Sequence, residues 1–224
     1  SAVLSTGDAH GDKFSAGSPV FRVITVKIPE PSLNDPIDDL SRLKRSILKE
    51  TGLENIWPTI KLLRVLPKTL RQGGWTITVS LAAVPGCELI EMDCVESGME
   101  NRNYYGLAVD IGTTTVAAQL VELESGNIAG EKGTFNRQSS FGDDVITRII
   151  YCDGHGVGSL QKAILETIND LAGELAKDRG IKTTDIRAAF FAGNTTMTHI
   201  LLGLDPANIR LEPYTPVANS FSPI

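Results

Sequence analysis

The run Leu107-Ala108-Val109-Asp110-Ile111-Gly112-Thr113-Thr114-Thr115 limits what this chain can fold into more than any other segment. An apolar strand runs into Asp, Gly and three hydroxyl residues, and a second β-prone run, 115–123, starts at once. A Walker-type loop needs a helix and a lysine after its glycines, and a β-run stands there instead. The segment therefore predicts a hairpin whose turn carries the chemistry. Glycine lets the backbone approach an anion closely, and hydroxyls and amides bind phosphate oxygens without a full positive charge. An aspartate anchored at the strand end suits magnesium, which gives up its water reluctantly. Asp, Gly and Thr are also ordinary turn residues. The context separates the two readings: Ser125-Gly126-Asn127 makes another turn and 128–135 a third strand, which gives an antiparallel meander.

Further along, the spacing predicts a helix over 142–150 and a longer one over 159–179, with Leu160, Ile164, Ile168, Leu171 and Leu175 as its buried stripe. A strand over 186–192 and a helix over 195–202, closed by Gly203, follow before a Pro-rich tail, 213–224. The polar stretch 96–103 reads as a domain boundary. Ahead of it, 1–19 has the Ser/Gly/Ala/Asp composition of a linker. Then come a strand over 20–28 and a helix capped by Asp35, opened by Pro36 and stopped by Gly52. Strands over 75–83 and 88–95, joined by a turn at 84–87, complete a small α+β unit.

A net charge of −6 and a pI near 5.1 argue against nucleic acid and anionic membrane partners, which reward clustered Lys and Arg. The longest apolar stretch, 77–84, falls short of a membrane span, and no signal-peptide pattern opens the chain. Cys87, Cys94 and Cys152 are too few and too scattered for a four-thiolate site, and His10, His155 and His199 do not pair at helical spacing. A cytoplasmic, reducing location is the expectation.

Residues 110–115, followed by the meander and a helix, resemble the first phosphate-binding hairpin of the actin, sugar kinase and chaperone ATPase superfamily. Two further segments narrow the resemblance. Asn136-Arg137-Gln138 with Phe141-Gly142-Asp143-Asp144-Val145-Ile146-Thr147-Arg148-Ile149, and Ala192-Gly193-Asn194-Thr195-Thr196-Met197-Thr198-His199 with Leu202-Gly203-Leu204-Asp205-Pro206, look like the ATP-dependent reductive activators of corrinoid proteins. The resemblance implies α/β and α+β architecture: a linker (1–19), a small α+β middle domain (20–100), and the first lobe of an actin-like, ribonuclease H-like ATPase domain (104–224). It implies ATP and Mg2+ as cofactors. A two-iron ferredoxin module would lie in the parent protein only, and the second phosphate hairpin and adenosine pocket after Ile224. The partners it implies are a corrinoid methyltransfer protein, whose cobalt is restored from Co(II) to Co(I), and an electron donor, with a homodimer left open. The parent is then an ATP-hydrolysing activase of methyl-transfer metabolism, and this piece alone is incomplete for catalysis.

Carried over by motif, Asp110 organises the magnesium shell, and Gly112, Thr113, Thr114 and Thr115 surround the phosphates. Gly193, Asn194, Thr195 and Thr196 sit where a strand end meets a helix N-terminus, which favours an anion; a plain N-cap is the competing role for Asn194. Gln138 and Asp144 are candidates to reach the nucleotide or position water, against a helix first-turn role for Asp144. Arg42, Lys44, Arg45 and Lys49 read as a solvated helix face or an acidic-partner dock. Trp57 and Trp75 read as core or interface. Two rival functions share the hairpin: an actin-fold small-molecule kinase, and a non-catalytic partner-binding module.

Overall fold

The computed structural model describes residues 21–83, 90–98 and 103–219. The linker 1–19, His10, Cys87 and the turn at 84–87 lie outside the described residues, as does the side chain of Cys94. The chain divides into two compact units between Arg102 and Asn103, inside the polar stretch 96–103.

The first unit runs β1 (Phe21–Lys27), α1 (Asp39–Thr51), β2 (Ile56–Pro58), α2 (Ile60–Gln72), β3 (Thr76–Ala83) and β4 (Ile90–Ser97). Its sheet has the order β1-β3-β4-β2, with β2 parallel to β4 and the other pairs antiparallel. Leu43 and Ile47 of α1, Leu62, Leu66 and Leu70 of α2, and Ile77, Val79 and Leu81 of β3 share one core. The first helix starts later than the Asp35-Pro36 signal predicts. Asp38 is its N-cap, accepting from the Ser41 N–H at 2.8 Å. Asp35 instead takes Arg42 and Arg45, each at 2.6 Å. These two hydrogen-bonded guanidinium groups, Arg45 more than Arg42, hold the Asp35 carboxyl down at about 2. Arg42 is fully buried, so neither reading of the basic run, solvated face or partner dock, describes it. Trp75 lies in the core, whereas Trp57 is exposed with Lys44 over its ring.

Helix α2 and strand β2 have no counterpart in the sequence expectation. Thr59 caps α2 by accepting from the Leu62 N–H, and Leu62, Leu66 and Leu70 recur every four residues on its buried side. Pro67 inside the helix removes one backbone donor and masks the pattern.

The second unit runs β5 (Tyr105–Ile111), β6 (Thr115–Glu122), β7 (Ile128–Phe135), a 3-10 helix (Arg137–Phe141), α3 (Val145–His155), α4 (Gly158–Arg179), β8 (Ile186–Gly193) and α5 (Thr195–Leu201). The expected meander is present: β5, β6 and β7 are antiparallel neighbours, and β8 returns to lie parallel to β5, giving the order β7-β6-β5-β8. Leu107, Val109 and Ile111 alternate with Val116, Ala118 and Leu120 on the face that packs against Leu160, Ile164, Ile168, Leu171 and Leu175 of α4. The opposite face carries Asp110, Ala117, Phe190 and Glu131 along a groove of about 720 Å³. No helix among the described residues is long and apolar enough to cross a membrane.

Candidate functional site

Strands β5, β7 and β8 run in the same direction, so their carboxyl ends lie at one edge of the sheet, where ligands of such folds bind. In-register pairs bring the connections together there. Ile111 faces both Val116 and Gly193, and Thr115 faces Phe135. The turn 112–114 therefore sits beside the β8–α5 junction and the start of the 3-10 helix. The approach at Gly112 needs glycine, and the one at Gly193 is tight. A Cβ on Gly112 would stand 2.5 Å from the Thr115 carbonyl oxygen, and one on Gly193 3.3 Å from that of Ile111.

The three carbonyls of the turn are all taken by scaffold donors. Asn136 Nδ2 donates to Gly112 O at 2.9 Å, and its backbone N–H donates to Thr114 O at 2.8 Å. Arg148 Nη2 donates to Thr113 O at 2.7 Å. In a trans peptide the N–H points away from the C=O. Capture of the oxygens thus turns the Thr113 and Thr114 N–H groups the other way, and no acceptor among the described residues takes either one. Asn136 and Arg148 are both buried, and burial lowers the Arg148 pKa while the carboxylates of Asp143 and Asp144 oppose the shift.

Gln138 belongs to this scaffold. It is fully buried, donates to Leu160 O at 3.0 Å, and accepts from Asn136 Nδ2 and Arg148 Nη1. Thr196 is likewise buried, 3% exposed. Sequence reasoning placed Asn136 and Arg148 within motif runs without giving either a role. The available signal was a cation on the apolar stripe of α3, next to Ile149 and Cys152, which requires internal acceptors.

Asp110 is exposed at the end of β5, over the groove on the open face. Thr114 and Thr115 are exposed, and Gly112 and Thr113 half-buried. Asp144 is the N-cap of α3 and forms a capping box with Thr147, accepting from its N–H at 2.7 Å. Those bonds, the backbone one foremost, hold the Asp144 carboxyl below the usual aspartate range. Asn194 is also an N-cap, its Oδ1 accepting from Met197 N–H at 2.9 Å, and the helix it starts has only seven residues. Thr195 is exposed at its first position. His199, buried on α5, bonds Thr195 O through Nδ1 and accepts the Val217 N–H at Nε2, tying the chain after α5 to that helix.

The donor set suits a phosphate-held divalent cation. No group of three or more His, Cys, Asp or Glu that could hold a metal ion occurs among the described residues; Asp110 is a single carboxylate with hydroxyl residues in the turn beside it. Magnesium is held in this way, through one or two carboxylates with phosphate and water filling the octahedron.

Two family models match the chain, each over one segment. The RACo middle region matches residues 105–224, and the RACo linker region matches 15–97. The linker and middle names thus fall differently from the sequence reading, which gave them to 1–19 and 20–100. The corrinoid activation enzyme RamQ of Eubacterium limosum is 38% identical over 126 residues, which make up 55% of this chain and 21% of RamQ. A solved structure of a reductive activator for corrinoid, iron-sulfur protein matches with a TM-score of 0.83 at 42% identity, over 95% of this chain and 34% of that one. The chain therefore spans about a third or less of the length of these relatives. With more than half of its residues matched to the RACo middle region and the preceding unit to the RACo linker region, the chain belongs to the RACo family.

Proposed function

We propose that the turn from Asp110 to Thr115 holds the terminal phosphates of Mg-ATP. The whole protein then uses ATP to drive Co(II) to Co(I) in a corrinoid methyltransfer protein, with the one electron arriving from an iron–sulfur module outside residues 1–224. The observation that carries the nucleotide reading is the capture of all three turn carbonyls by Asn136 and Arg148. A turn built in this way offers N–H groups and hydroxyls and withholds its oxygens, which is what an anion requires. The corrinoid reading is supported by the names of the two relatives above.

Bound Mg-ATP supplies the free energy of hydrolysis. The chain's own residues bind and orient it: Asp110 holds the hydrated metal, Gly112 admits the phosphates to the backbone, and Thr113, Thr114 and Thr115 donate hydrogen bonds. Gly193, Asn194 and Thr195 border the same edge. Asp144 fixes the start of α3, which carries Arg148. Coupling to reduction requires that ATP bind two conformations of the protein with different affinity.

The test mixes the full-length protein, a Co(II) corrinoid protein and a reductant, with and without Mg-ATP, and follows Co(I) by absorbance. Co(I) that accumulates only with Mg-ATP, and not in Asp110→Asn, supports the proposal. Equal reduction without nucleotide, or no Mg-ATP binding, rejects it.

A further inference from the structure

We propose that Arg148 is a positioning residue: its guanidinium, buried one peptide group behind the β5–β6 turn, orients and polarises the donors that meet the phosphates. The inference rests on the nucleotide reading above and deepens it.

Arg148 is fully buried, yet every acceptor it touches is neutral. These are Thr113 O at 2.7 Å, Gly142 O at 2.8 Å, Gln138 Oε1 at 3.3 Å and Met197 Sδ at 3.5 Å. No carboxylate among the described residues pairs with it; Asp143 and Asp144, at the start of its own helix, act only at a distance. A buried cation without a counter-ion is costly, and an anion bound nearby offsets that cost.

The hydrogen bonds show where such an anion belongs. The Thr113 carbonyl and the Thr114 N–H are two ends of one trans peptide and point in opposite directions. A guanidinium on the oxygen draws electron density toward it and makes the far N–H a stronger donor. Through Nε the same group ties the Gly142 loop to the turn, and Gln138 links it to Asn136, which holds the neighbouring carbonyls. The planar fork reaches several acceptors at once, which a lysine ammonium on its flexible stem does not.

The test measures AMP and Mg-ATP affinities of the full-length protein as wild type, Arg148→Met, Arg148→Lys and Gln138→Glu, with thermal unfolding midpoints alongside. The ratio of ATP to AMP affinity isolates the terminal phosphates; general loosening lowers both affinities and leaves the ratio alone. Arg148→Met is expected to cut the ratio about tenfold, equivalent to ~1.4 kcal/mol. Gln138→Glu keeps the guanidinium but sets a carboxylate against it, and is expected to cut the ratio similarly. Arg148→Lys keeps the charge and loses less than about threefold. Should Arg148→Met fail to fold, Gln138→Glu against Arg148→Lys decides. An unchanged ratio in the charge-removing or charge-cancelling variant, with a wild type that prefers ATP, overturns the role of Arg148 and leaves the nucleotide reading standing. A wild type that does not prefer Mg-ATP to AMP overturns both.

Discussion

Among the described residues each unit of this chain buries one arginine completely, and the two are provided for differently. Arg42, in the first unit, meets a carboxylate: Nη1 lies 2.6 Å from Asp35, and Nη1 and Nη2 also donate to the backbone oxygens of Pro29, Asp35 and Ile37, while Nε has no partner. Its charge is balanced within the fold, and its work is to pin the 29–37 segment to α1. Arg148, in the second unit, has the same burial and only neutral acceptors, two of them carbonyls of loops at the candidate site. The contrast separates an arginine that completes a core from one that leaves charge to be matched by a ligand. Burial alone does not distinguish them, but the identity of the acceptors does.

The comparison can be broken by experiment. The largest effect is expected from Arg42→Ala, which removes a large buried side chain and frees three carbonyls. It should lower unfolding free energy by about 3 kcal/mol in urea titrations without moving the ATP-to-AMP affinity ratio. A change in that ratio would erase the distinction between the two arginines. Next is Asp110→Asn. Because Asp110 is exposed, stability should stay within roughly 0.5 kcal/mol, while Mg-ATP affinity measured by calorimetry falls about thirtyfold, or ~2 kcal/mol. Asn136 also caps the 3-10 helix, its Oδ1 accepting from the Gln138 N–H at 3.0 Å, so Asn136→Ala should cost about 1 kcal/mol of stability as a lost N-cap and weaken Mg-ATP as well, since it frees Gly112 O.

The smallest effect concerns pH. The Asp35 carboxyl is held at about 2 against an ordinary 3.8. A carboxyl lowered in the folded state stabilises above its unfolded value, and that contribution disappears as pH falls from 3.8 to about 2. Thermal midpoints of Asp35→Asn should therefore depend less on pH across that window than those of the wild type. Asp144 is also lowered, by its Thr147 cap, so part of the dependence should persist.

What was readable in the sequence was local. The strand expected over 128–135 is β7 residue for residue, and the turn at Gly112 lies between the two strands its composition required. Helix α2 was missed because Pro67 interrupts a four-residue stripe that is otherwise regular, and β2 because three residues carry no period. The late start of α1 has the same origin. Asp35-Pro36 and Asp38 are both plausible caps by composition, and the choice fell to Asp38 once Arg42 and Arg45 claimed Asp35.

The sequence by itself determined the period-2 and period-3.6 patterns of the second unit, the Asp-Gly-Thr turn and the residues on it. These depend on neighbours a few positions apart, and a linear reading contains them. Only the tertiary structure decided which polar residues face a ligand and which hold the turn from behind. Asn136 reaches Gly112 across 24 positions and Arg148 reaches Thr113 across 35, so their partners are set by the pairing of β7 with β6 and by the packing of α3 against the 3-10 helix at 137–141 and α5. Gln138 and Thr196, polar members of the motif runs, are buried for the same reason. A side chain's direction follows from the face its element buries, and that face is fixed by contacts distant in sequence.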